Sequence, residues 1–584
     1  MSWHRRKADR ILMGVLAVSA LCGLRPLAAQ PPCLIPKTEG PAALQALPET
    51  TESAELPPFT QVEVKETPAE LRQALEHGRL KDAPLIPWVE PPRIDAVEGL
   101  IDTPLVVDYA EHELNGQPVK LRNYYDPKTG QGMLTGPTLR FPASERARTL
   151  RVLLQNHLPC PPGEDCRCDR PGHVHGPDKL VFNITNLHTH GLHVSPQPPQ
   201  DDVLLNVMPG CSSQVEVKIP AGHLPGTFWY HAHRHGSTAI QLSSGMAGAL
   251  IVEGRLDAEL RQRGIGERLF VFQQISHKNG ALEHFEDIGR NAVTSINGQI
   301  NPDILLKSGQ VERWRFINGG FEEVLPLALV RECRVDEPGC DPAREYPLYL
   351  IAVDGITIRS APQPKTVVQL AAGNRADVLV KLTEPGRYRL VKVPGRRVEG
   401  ETESLQYVAT VEVAPQGTDM PIPQSLPVEA PPDIDASQAI PRPPVVFSVK
   451  EGDEEDEFLI DGRKFSMDQP AYTPKLNTVE AWTVYNCSTQ MHPFHIHVNP
   501  FQVTEIGEPE FDEVIPYPPG RRIWHDTLII PQGVVRKVDG KDVIIPGHIK
   551  MLTHYEYYTG RFVLHCHILT HEDKGMMALV EIKP

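Results

Sequence analysis

Apolar and polar residues along this chain alternate over short runs, which is the pattern of β-strands with one buried face. Two clear examples are ARTLRVLLQN at 147–156 and LNTVEAWTVYN at 476–486. Glycine- and proline-containing turns separate the runs, and 58 of the 584 residues are proline. Many prolines between short apolar runs predict a loop-rich all-β chain rather than a helical bundle.

One element of this pattern recurs three times. It consists of a turn glycine, a gap, and an alternating strand that ends in asparagine, at Asn156, Asn318 and Asn486. Three copies predict three related β-domains. Regularly spaced short strands with turn signals favour Greek-key β-sandwiches.

The chain divides into six segments by composition and periodicity. They are a signal peptide at 1–29, an N-terminal arm at 30–95, a first domain at 96–255, a second domain at 256–430, a proline-rich linker at 431–445 and a third domain at 446–584. Within the arm we predict one short helix, roughly Pro68 to His77. The second domain contains no His-x-His pair, so we expect it to be a spacer that sets the geometry of the other two.

The N-terminus predicts export. A basic stretch, His4 to Lys7, precedes an apolar stretch from Ile11 to Leu24 and small residues suited to cleavage. The apolar stretch is too short to span a bilayer comfortably, and no later run resembles a membrane helix. We therefore expect a periplasmic or extracellular protein in an oxidising compartment. The export route, general secretory or twin-arginine, stays open.

The cysteines are consistent with such a compartment. Nine remain after cleavage, and eight of these are available for disulfides once Cys566 is set aside. Cys333 and Cys340 enclose a short loop and are the easiest pair to close. An insertion at 160–178 contains three cysteines and two histidines that could bind a metal, namely Cys160, Cys166, Cys168, His173 and His175. For this insertion we favour disulfides and a surface loop.

The chemistry concentrates at the C-terminus, in HCHILTHEDKGMM at 565–577. On a strand, Cys566 points to one face while His565 and His567 point to the other. Cysteine, histidine and a weak axial methionine are ligands of blue-copper sites, and His571 and Met576 follow at short spacing. The second histidine of such a site would come from HPFHIH at 492–497.

Three further His-x-His pairs accompany this stretch. They are His188 and His190 in HTHG, His231 and His233 in WYHAHRHG, and His495 and His497 in HPFHIH. The two histidines of each pair share one face of a strand and can converge on one metal or on two adjacent ones. Because the pairs lie in the first and third domains, they predict a metal cluster where these two domains meet. We expect the adjacent His193 and His235 to be structural rather than ligands.

These motifs resemble the four signatures of the multicopper oxidases, the laccase-like family, over nearly the whole mature chain. The resemblance implies three cupredoxin-like Greek-key β-sandwich domains and four copper ions. The type 1 copper would be held by four residues, His492, Cys566, His571 and Met576. The type 2 copper would be held by His188 and His495. The remaining six histidines would hold the type 3 pair in two sets, His190, His231 and His567 at one copper, and His233, His497 and His565 at the other.

The resemblance also implies acids that supply protons for oxygen reduction. The stretch after HTHG offers Asp201 or Asp202, and we favour Asp201. Glu572, directly after His571, resembles a second acid that faces the type 3 side. The alternative for all three is a solvated surface carboxylate. Cys566 would be the first step of the electron route between the copper sites, besides being a ligand.

The implied activity is that of a copper-dependent oxidoreductase with dioxygen as acceptor. Phenols, aromatic amines or similar donors would be oxidised one electron at a time at type 1, coupled to four-electron reduction of dioxygen to water at the trinuclear cluster. An axial Met576 suggests a low-to-medium potential. A metallo-oxidase acting on ferrous, manganous or cuprous ions, or a bilirubin oxidase, is the alternative. The 11 methionines form no Met-rich segment, which disfavours the cuprous reaction.

Two other classes fit the sequence poorly. A copper-free structural relative would have lost ligands, and every ligand position is filled here. A copper nitrite reductase would lack several type 3 histidines. The expected partners are therefore a small-molecule or metal-ion reductant and dioxygen, with no membrane span, and we expect a monomer. A formal charge of −16 argues against nucleic acid.

Overall fold

The computed structural model describes residues 31–36, 86–163, 165–168, 182–333, 344–359, 362–393, 405–452 and 455–584. The predicted signal peptide and the predicted helix at 68–77 lie outside the described residues. Within them the chain is almost entirely β and forms three β-sandwiches in chain order, so the predicted fold class is confirmed. The positions of the domain boundaries stay predictions.

The first sandwich contains two five-stranded sheets. Its strands are β1 (Arg93–Asp95), β2 (Leu100–Leu114), β3 (Gln117–Tyr125), β4 (Gly132–Met133), β5 (Gly136–Phe141), β6 (Arg148–Asn156), β7 (His188–His190), β8 (Ser212–Ile219), β9 (Gly226–His231) and β10 (Ala247–Val252). The sheet orders are β1-β5-β10-β9-β7 and β4-β3-β2-β6-β8. Apolar side chains from both sheets, including Leu150, Val152 and Trp229, form one buried core.

The second sandwich contains a seven-stranded and a six-stranded sheet. Its strands are β11 (Gly266–Ile275), β12 (Val293–Ile296), β13 (Asp303–Lys307), β14 (Val311–Asn318), β15 (Leu325–Arg331), β16 (Glu345–Tyr346), β17 (Leu348–Val353), β18 (Ile356–Thr357), β19 (Gln363–Lys365), β20 (Val367–Leu370), β21 (Arg375–Lys381), β22 (Gly386–Lys392) and β23 (Gln406–Ala414). Trp314 and Phe316 of β14 lie in its core.

The third sandwich contains an eight-stranded and a four-stranded sheet, with a separate two-stranded hairpin, β33-β34. Its strands are β24 (Ile440–Pro441), β25 (Val445–Lys450), β26 (Glu457–Ile460), β27 (Thr478–Asn486), β28 (His492–Ile496), β29 (Phe501–Glu508), β30 (Glu513–Pro516), β31 (Trp524–His525), β32 (Thr527–Ile530), β33 (Val534–Val538), β34 (Lys541–Ile545), β35 (Gly547–Tyr555), β36 (Gly560–Cys566) and β37 (Met577–Ile582). In the four-stranded sheet, β32-β28-β36-β37, strands β28 and β36 contain four of the predicted ligands, His492, His495, His565 and Cys566.

Helices are short and few in the described part of the chain. They are α1 (Thr238–Leu242), α2 (Arg255–Gln262) and α3 (Leu569–Asp573), with 3₁₀ turns at Phe285–Asp287 and Ala436–Gln438. No helix among the described residues is both long enough and apolar enough to cross a lipid bilayer.

The threefold repeat predicted from the sequence is visible in the strand pairing. β6, β14 and β27 each pair in parallel with an earlier strand, β2, β11 and β25 respectively, and antiparallel with a later one, β8, β21 and β35. The asparagine that ends each copy has the same role. The side-chain amides of Asn156, Asn318 and Asn486 donate to backbone carbonyls, and each Oδ1 accepts from the N–H two residues later. The recurring asparagine therefore ties the end of the strand to the following loop.

The described parts of the N-terminal arm contact all three sandwiches. Cys33 is disulfide-bonded to Cys487, and Leu34 N–H donates to Ile544 of the hairpin at 2.9 Å. Trp88 packs against Phe270 of the second sandwich, with 4.5 Å between ring centroids. β1 then pairs in parallel with β5 of the first sandwich. The arm thus connects the sandwiches from outside their cores.

Disulfides also define the insertion in the first sandwich. Cys160 is bonded to Cys166, and Cys168 to Cys211. The disulfide interpretation of its cysteines is confirmed, while His173 and His175 lie outside the described residues. Cys333 is disulfide-bonded, and its predicted partner Cys340 also lies outside them. Cys566 is the free cysteine of the described chain.

Candidate metal centres

Two pairs of strands, one in each terminal sandwich, present the histidines of the cluster. In the first sandwich β7 runs antiparallel to β9, which sets His188 opposite His231. In the third, β28 runs antiparallel to β36, which sets His495 opposite His565. Just past the ends of β9, β28 and β36 lie three more, His233, His497 and His567. Because residues two apart on an extended chain share a face, each pairing and the residues that continue it bring four imidazoles together.

The two faces meet at the interface between the first and third sandwiches. The rings of His188 and His497 stack with 4.0 Å between centroids, and those of His190 and His495 with 3.9 Å. His233 Nε2 lies 3.1 Å from His565 Nε2. The predicted meeting of histidines from the first and third domains is therefore present.

The eight imidazoles form three groups, and within each group the ring nitrogens lie within 4.8 Å of one another; the first two groups share His190. The groups are His188, His190 and His495; His190, His231 and His567; and His233, His497 and His565. The second and third groups are the two sets that the resemblance implies for a type 3 pair. The first contains the two implied type 2 ligands with His190 beside them.

Most of these rings have one nitrogen fixed by the protein. The fixed nitrogens are His188 Nδ1 by Asp201 (3.0 Å), His190 Nε2 by Asp526 (3.2 Å), His231 Nδ1 by the Ala232 carbonyl (2.9 Å), His495 Nδ1 by the Asp526 carbonyl (2.7 Å) and His565 Nδ1 by the Cys566 carbonyl (2.9 Å). A carbonyl only accepts a hydrogen bond, so the contacting nitrogen carries the proton and the other keeps its lone pair.

The opposite nitrogens are buried and have no hydrogen-bond partner within the described residues. They include His188 Nε2, His190 Nδ1, His231 Nε2 and His495 Nε2. Buried polar atoms are normally satisfied, so several orphaned nitrogens that converge on one place indicate a binding site for a metal ion. Imidazole nitrogens suit copper, and the donor set therefore fits the trinuclear copper centre that the resemblance implies.

Burial also keeps these rings ready to bind a cation. It lowers the pKa of all eight histidines below the ordinary value, and neighbouring imidazoles lower several of them further. The rings are therefore neutral at physiological pH. Eight cationic imidazoles could not share this volume, whereas eight neutral ones can.

A second centre lies within the third sandwich, on the other face of β36. Cys566 Sγ is 3.5 Å from His492 Nδ1 and 3.8 Å from His571 Nδ1, and these two nitrogens are 3.3 Å apart. Cys566 is fully buried. The alternation of β36 thus separates the thiol from His565 and His567, as the sequence predicted. One cysteine and two histidines in a triangle match the equatorial ligands of a blue-copper site.

Neighbouring residues hold this second centre in place. His492 Nε2 contacts Ser488 Oγ at 2.8 Å, and the ring of His571 stacks on Phe458 with 4.0 Å between centroids. Met576 is fully buried, and its carbonyl accepts from the Cys566 N–H at 3.0 Å. That contact keeps Met576 beside the cysteine; its predicted role as axial ligand stays a prediction.

The structure separates the two candidate acids after HTHG. Asp201 is buried, and it accepts from His188 Nδ1 at 3.0 Å and from the Thr189 N–H at 2.9 Å. Asp202 is half-buried and accepts from the Leu204 N–H, so it stabilises a turn. Burial raises the pKa of Asp201 to about 8. Asp201 is therefore the member of the pair that lies at the cluster, and the surface alternative is wrong for it.

Glu572 lies on the opposite side of the cluster and is also fully buried. Its carboxylate oxygens are 3.7 Å from His233 Nδ1 and 3.6 Å from His565 Nδ1. Thr238 Oγ1 donates to Oε1 at 3.1 Å. Burial, and then the neighbouring Asp573, raise the pKa of Glu572 well above its ordinary value. The surface alternative is wrong for Glu572 as well.

The two histidines that we expect to be structural, His193 and His235, make other contacts. His193 Nε2 contacts the Glu556 carbonyl at 3.2 Å. His235 packs edge-on against Phe465 and lies next to Glu572 and Asp573. Neither belongs to the three groups of converging imidazoles.

Sequence reasoning missed Asp526, which lies between β31 and β32, its neighbour Thr527, and their partner in the second sandwich, Arg375. Asp526 contacts His190 with its carboxylate and His495 with its carbonyl, and Thr527 Oγ1 contacts both rings. Arg375 of β21 binds Asp526 through two hydrogen bonds. The signal available was a charged residue within otherwise apolar runs, in WHDTLII and in RADVLV.

Comparison with known proteins gives matches to multicopper oxidases. Family models described as multicopper oxidase match residues 178–257 and 438–584. A multicopper oxidase of Staphylococcus haemolyticus (strain JCSC1435) is 26% identical over 423 residues, covering 69% of this chain and 78% of that protein.

Solved structures extend the likeness to the fold. The chain is similar to a multicopper oxidase from Campylobacter jejuni described as a metallo-oxidase, with a TM-score of 0.62 and 19% identity, covering 86% of this chain and 98% of that one. It is also similar to a laccase from Pediococcus acidilactici Pa5930, with a TM-score of 0.63 and 22% identity, covering 86% and 95%.

Proposed function

Because this chain belongs to the multicopper oxidase family, we propose that it is a laccase-like enzyme that oxidises phenols, aromatic amines or similar donors and reduces dioxygen to water. Four copper ions, when bound, would supply the one-electron redox chemistry and the place where dioxygen is reduced. The residues proposed to hold them are the twelve predicted from the sequence. Three of these sit at the centre around Cys566 and eight in the histidine cluster, with Met576 beside the cysteine.

The observation that carries this proposal is the tripeptide His565-Cys566-His567. Its outer residues belong to the histidine cluster and its middle residue to the Cys–His–His centre. The two centres are therefore joined by a few covalent bonds of one strand. Such a connection supports electron transfer from the donor side to the oxygen side without a mobile carrier.

Two buried carboxyl groups support proton supply from opposite sides of the cluster. The raised pKa of Asp201, about 8, lies near neutral pH, where a group can both hold and release a proton. Glu572 Oε2 has no hydrogen-bond partner among the described residues and lies beside two cluster histidines. We assign Asp201 and Glu572 to holding and moving protons toward the oxygen-binding side.

The donor side is the end of the third sandwich that contains His571. This ring is about 9% exposed and is the most accessible part of the Cys–His–His centre, since His492 and Cys566 are fully buried. Phe458 covers one face of the ring. A donor would therefore approach the uncovered edge of His571 rather than its face.

A metal-ion reductant, ferrous or manganous, is the second candidate. The similar protein from Campylobacter jejuni is described as a metallo-oxidase. In this chain burial raises the pKa of the Cys566 thiol, and Glu572 and the exposed Glu322 raise it further. The negative charge of Glu322 thus acts on Cys566, and a negative charge near that centre would favour a cation over a neutral phenol.

We propose that the protein works outside the cytoplasm. Three disulfides among the described residues favour an oxidising compartment, and the predicted signal peptide agrees with export. A small-molecule or metal-ion donor and dioxygen would be its partners, and we keep the monomer as the proposed state.

Oxygen uptake by copper-loaded protein tests the function and ranks the donors. A phenol, bilirubin, Fe(II), Mn(II) and Cu(I) are compared side by side, with copper-free protein as the matched control. We expect uptake only with copper, and four one-electron oxidations for each dioxygen consumed. Absence of uptake with all five donors contradicts the proposal. Faster uptake with Fe(II) or Mn(II) than with the phenol favours the metallo-oxidase.

A further inference from the structure

Arg375, on β21 of the second sandwich, lies in the surroundings of the histidine cluster. Its guanidinium is fully buried. Nη1 donates to Asp526 Oδ1 at 2.7 Å and Nη2 to Asp526 Oδ2 at 2.5 Å, so the contact is bidentate. Nε donates to the Thr227 carbonyl of the first sandwich at 3.2 Å. The Arg375 side chain, which comes from the second sandwich, therefore contacts both the first and the third sandwich.

Asp526, whose carboxylate binds Arg375, also contacts two histidines of the cluster. Asp526 Oδ1 is 3.2 Å from His190 Nε2, and the Asp526 carbonyl accepts from His495 Nδ1 at 2.7 Å. His190 belongs to the first sandwich and His495 to the third, and their rings are stacked. The position of Asp526 therefore fixes two rings that come from different sandwiches.

Two glycines, Gly191 and Gly373, pack closely against Arg375, Asp526 and the His567 ring. Gly191, directly after His190, has a φ of +88°, and a Cβ there would overlap the Arg375 guanidinium and lie 2.8 Å from Asp526 Oδ2. Gly373, two residues before Arg375, has a φ of +92°, and a Cβ there would lie 2.8 Å from the His567 ring. The glycine of HTHG thus makes space for an ion pair supplied by another sandwich.

Arg375 keeps its positive charge although it is buried. Burial by itself would lower the pKa of Arg375, but Asp526 and Asp354 outweigh it and raise the pKa, so the guanidinium stays charged. Burial and then Asp354 raise the pKa of Asp526, while Arg375 lowers it. Because both Asp526 oxygens accept from the guanidinium, Oδ1 presents an acceptor to His190 Nε2. His190 then carries its proton on Nε2 and keeps the lone pair of Nδ1, which is the orphaned nitrogen that faces the cluster.

We propose that Arg375 is a positioning residue for the oxygen-reducing centre: it fixes Asp526, and through Asp526 the tautomer and orientation of His190 and His495. The second sandwich is then part of the machinery that holds the proposed type 2 copper and its neighbour. This inference rests on the proposed function, because it needs copper in the cluster. The hydrogen bonds of Arg375 named above go to Thr227 and Asp526, which are not proposed copper ligands, so Arg375 would act through Asp526.

The test compares Arg375→Leu and Arg375→Lys with the unaltered protein after copper loading. The control is Arg313→Leu, because Arg313 is also a buried arginine of the second sandwich but binds Asp257 and Asp377. The readouts are copper per chain, the type 2 signal in electron paramagnetic resonance during titration with a chelator, the blue absorbance of the Cys566 centre, and thermal unfolding of the copper-free proteins.

We expect Arg375→Leu to keep its blue absorbance and to lose type 2 copper at about 10–100-fold less chelator, the range found when the partner of a metal-binding histidine is removed. Arg375→Lys should lose less, because an ammonium cannot bind both carboxylate oxygens in the same fork. Arg313→Leu should unfold at lower temperature but hold its type 2 copper as tightly as the unaltered protein.

Three outcomes overturn the inference. One is a type 2 signal in Arg375→Leu that survives the same chelator concentration as in the unaltered protein. Another is a parallel loss of blue absorbance and type 2 copper in Arg375→Leu and Arg313→Leu, which indicates general destabilisation. If Arg375→Leu does not fold, a folded Arg375→Lys with an unchanged type 2 spectrum and chelator sensitivity overturns it. An unaltered protein that takes up no type 2 copper overturns the proposed function itself.

Discussion

The two candidate centres lie back to back on β36 but are built in different ways. The Cys–His–His centre takes His492, Cys566 and His571 from one sandwich, and the antiparallel register of β28 and β36 sets most of its geometry. The histidine cluster takes four rings from each terminal sandwich, and no backbone pairing crosses between β7 or β9 and β28 or β36. The first centre depends on folding within a domain, and the second depends also on how domains dock.

This difference can be tested most strongly by removing the residue that connects the two centres. Cys566→Ser should abolish the intense blue absorption and nearly all turnover, because the thiolate is both proposed ligand and electron route. Copper should still bind at the histidine cluster, whose rings do not need the thiol. Absorption spectra, copper analysis and oxygen uptake measure the three effects. Retained blue colour would make the assignment of Cys566 wrong.

A carboxylate at the cluster should affect turnover without affecting the Cys–His–His centre. Asp201→Asn keeps the size but cannot carry a proton, so we expect turnover to fall about 10²–10⁴-fold, the usual contribution of general acid–base groups. Reduction of the blue centre by the donor should remain fast, and reduced blue centre should accumulate under air. Stopped-flow absorbance measures both steps.

The matched control for this variant is Asp202→Asn. Asp202 is the neighbouring acid but caps a turn instead of contacting His188. It should keep most of the activity. If Asp202→Asn is the slower variant, the choice of Asp201 is wrong; if neither variant is slow, Glu572 or another group supplies the protons.

Docking of the sandwiches can be perturbed through a single methyl group. Gly191→Ala and Gly210→Ala both place a side chain at a left-handed φ, +88° and +78°, but a Cβ at Gly210 meets no atom within 4 Å. Gly210→Ala should lose about 1–2 kcal/mol of unfolding free energy from backbone strain alone. Gly191→Ala should lose about 1–3 kcal/mol more from overlap with Arg375. Denaturant unfolding measures the difference.

The same pair of variants distinguishes the centres. Gly191→Ala should release copper from the histidine cluster while the blue absorbance is kept, because Gly191 lies outside the Cys–His–His centre. Equal unfolding free energies for the two variants would contradict the close approach of Arg375 to Gly191.

The two centres should also differ in how copper loading depends on pH. Burial raises the pKa of the Cys566 thiol, so copper must displace a proton there, whereas burial lowers the pKa of the cluster histidines, which are already neutral. As pH falls, protons therefore compete at Cys566, and copper affinity of that centre should weaken about tenfold per pH unit. The cluster should change less. Copper titration of the copper-free protein at several pH values, followed by absorbance and paramagnetic resonance, tests this; parallel slopes would contradict it.

Sequence spacing predicted the residues of both centres because their signal is local. A His-x-His pair reports which side chains share a face, and four such pairs with one cysteine allow few arrangements. The three-sandwich fold followed from the recurring strand that ends in asparagine. The choice between Asp201 and Asp202 could not be made locally, because it depends on which of two adjacent carboxylates turns toward His188.

The contribution of the second sandwich was the largest omission. We predicted only a spacer, since no histidine pair lies between 256 and 430. Arg375 contacts Asp526 only because the second and third sandwiches dock, and Asp526 precedes an ordinary strand, so neither has a motif of its own. The pairing of Cys33 with Cys487 was also beyond prediction, because the two residues are 454 positions apart.

The disulfide between Cys33 and Cys487 makes most of the chain a covalently closed ring. The bond between Cys33 and Cys487 closes the backbone into a ring that contains the first sandwich, the second sandwich, the linker and strands β24 to β27 of the third. A protease that cuts one peptide bond anywhere within this ring produces no separate fragment until the disulfide is reduced. The clipped molecule would keep its full mass on a non-reducing gel and fall into two pieces on a reducing one.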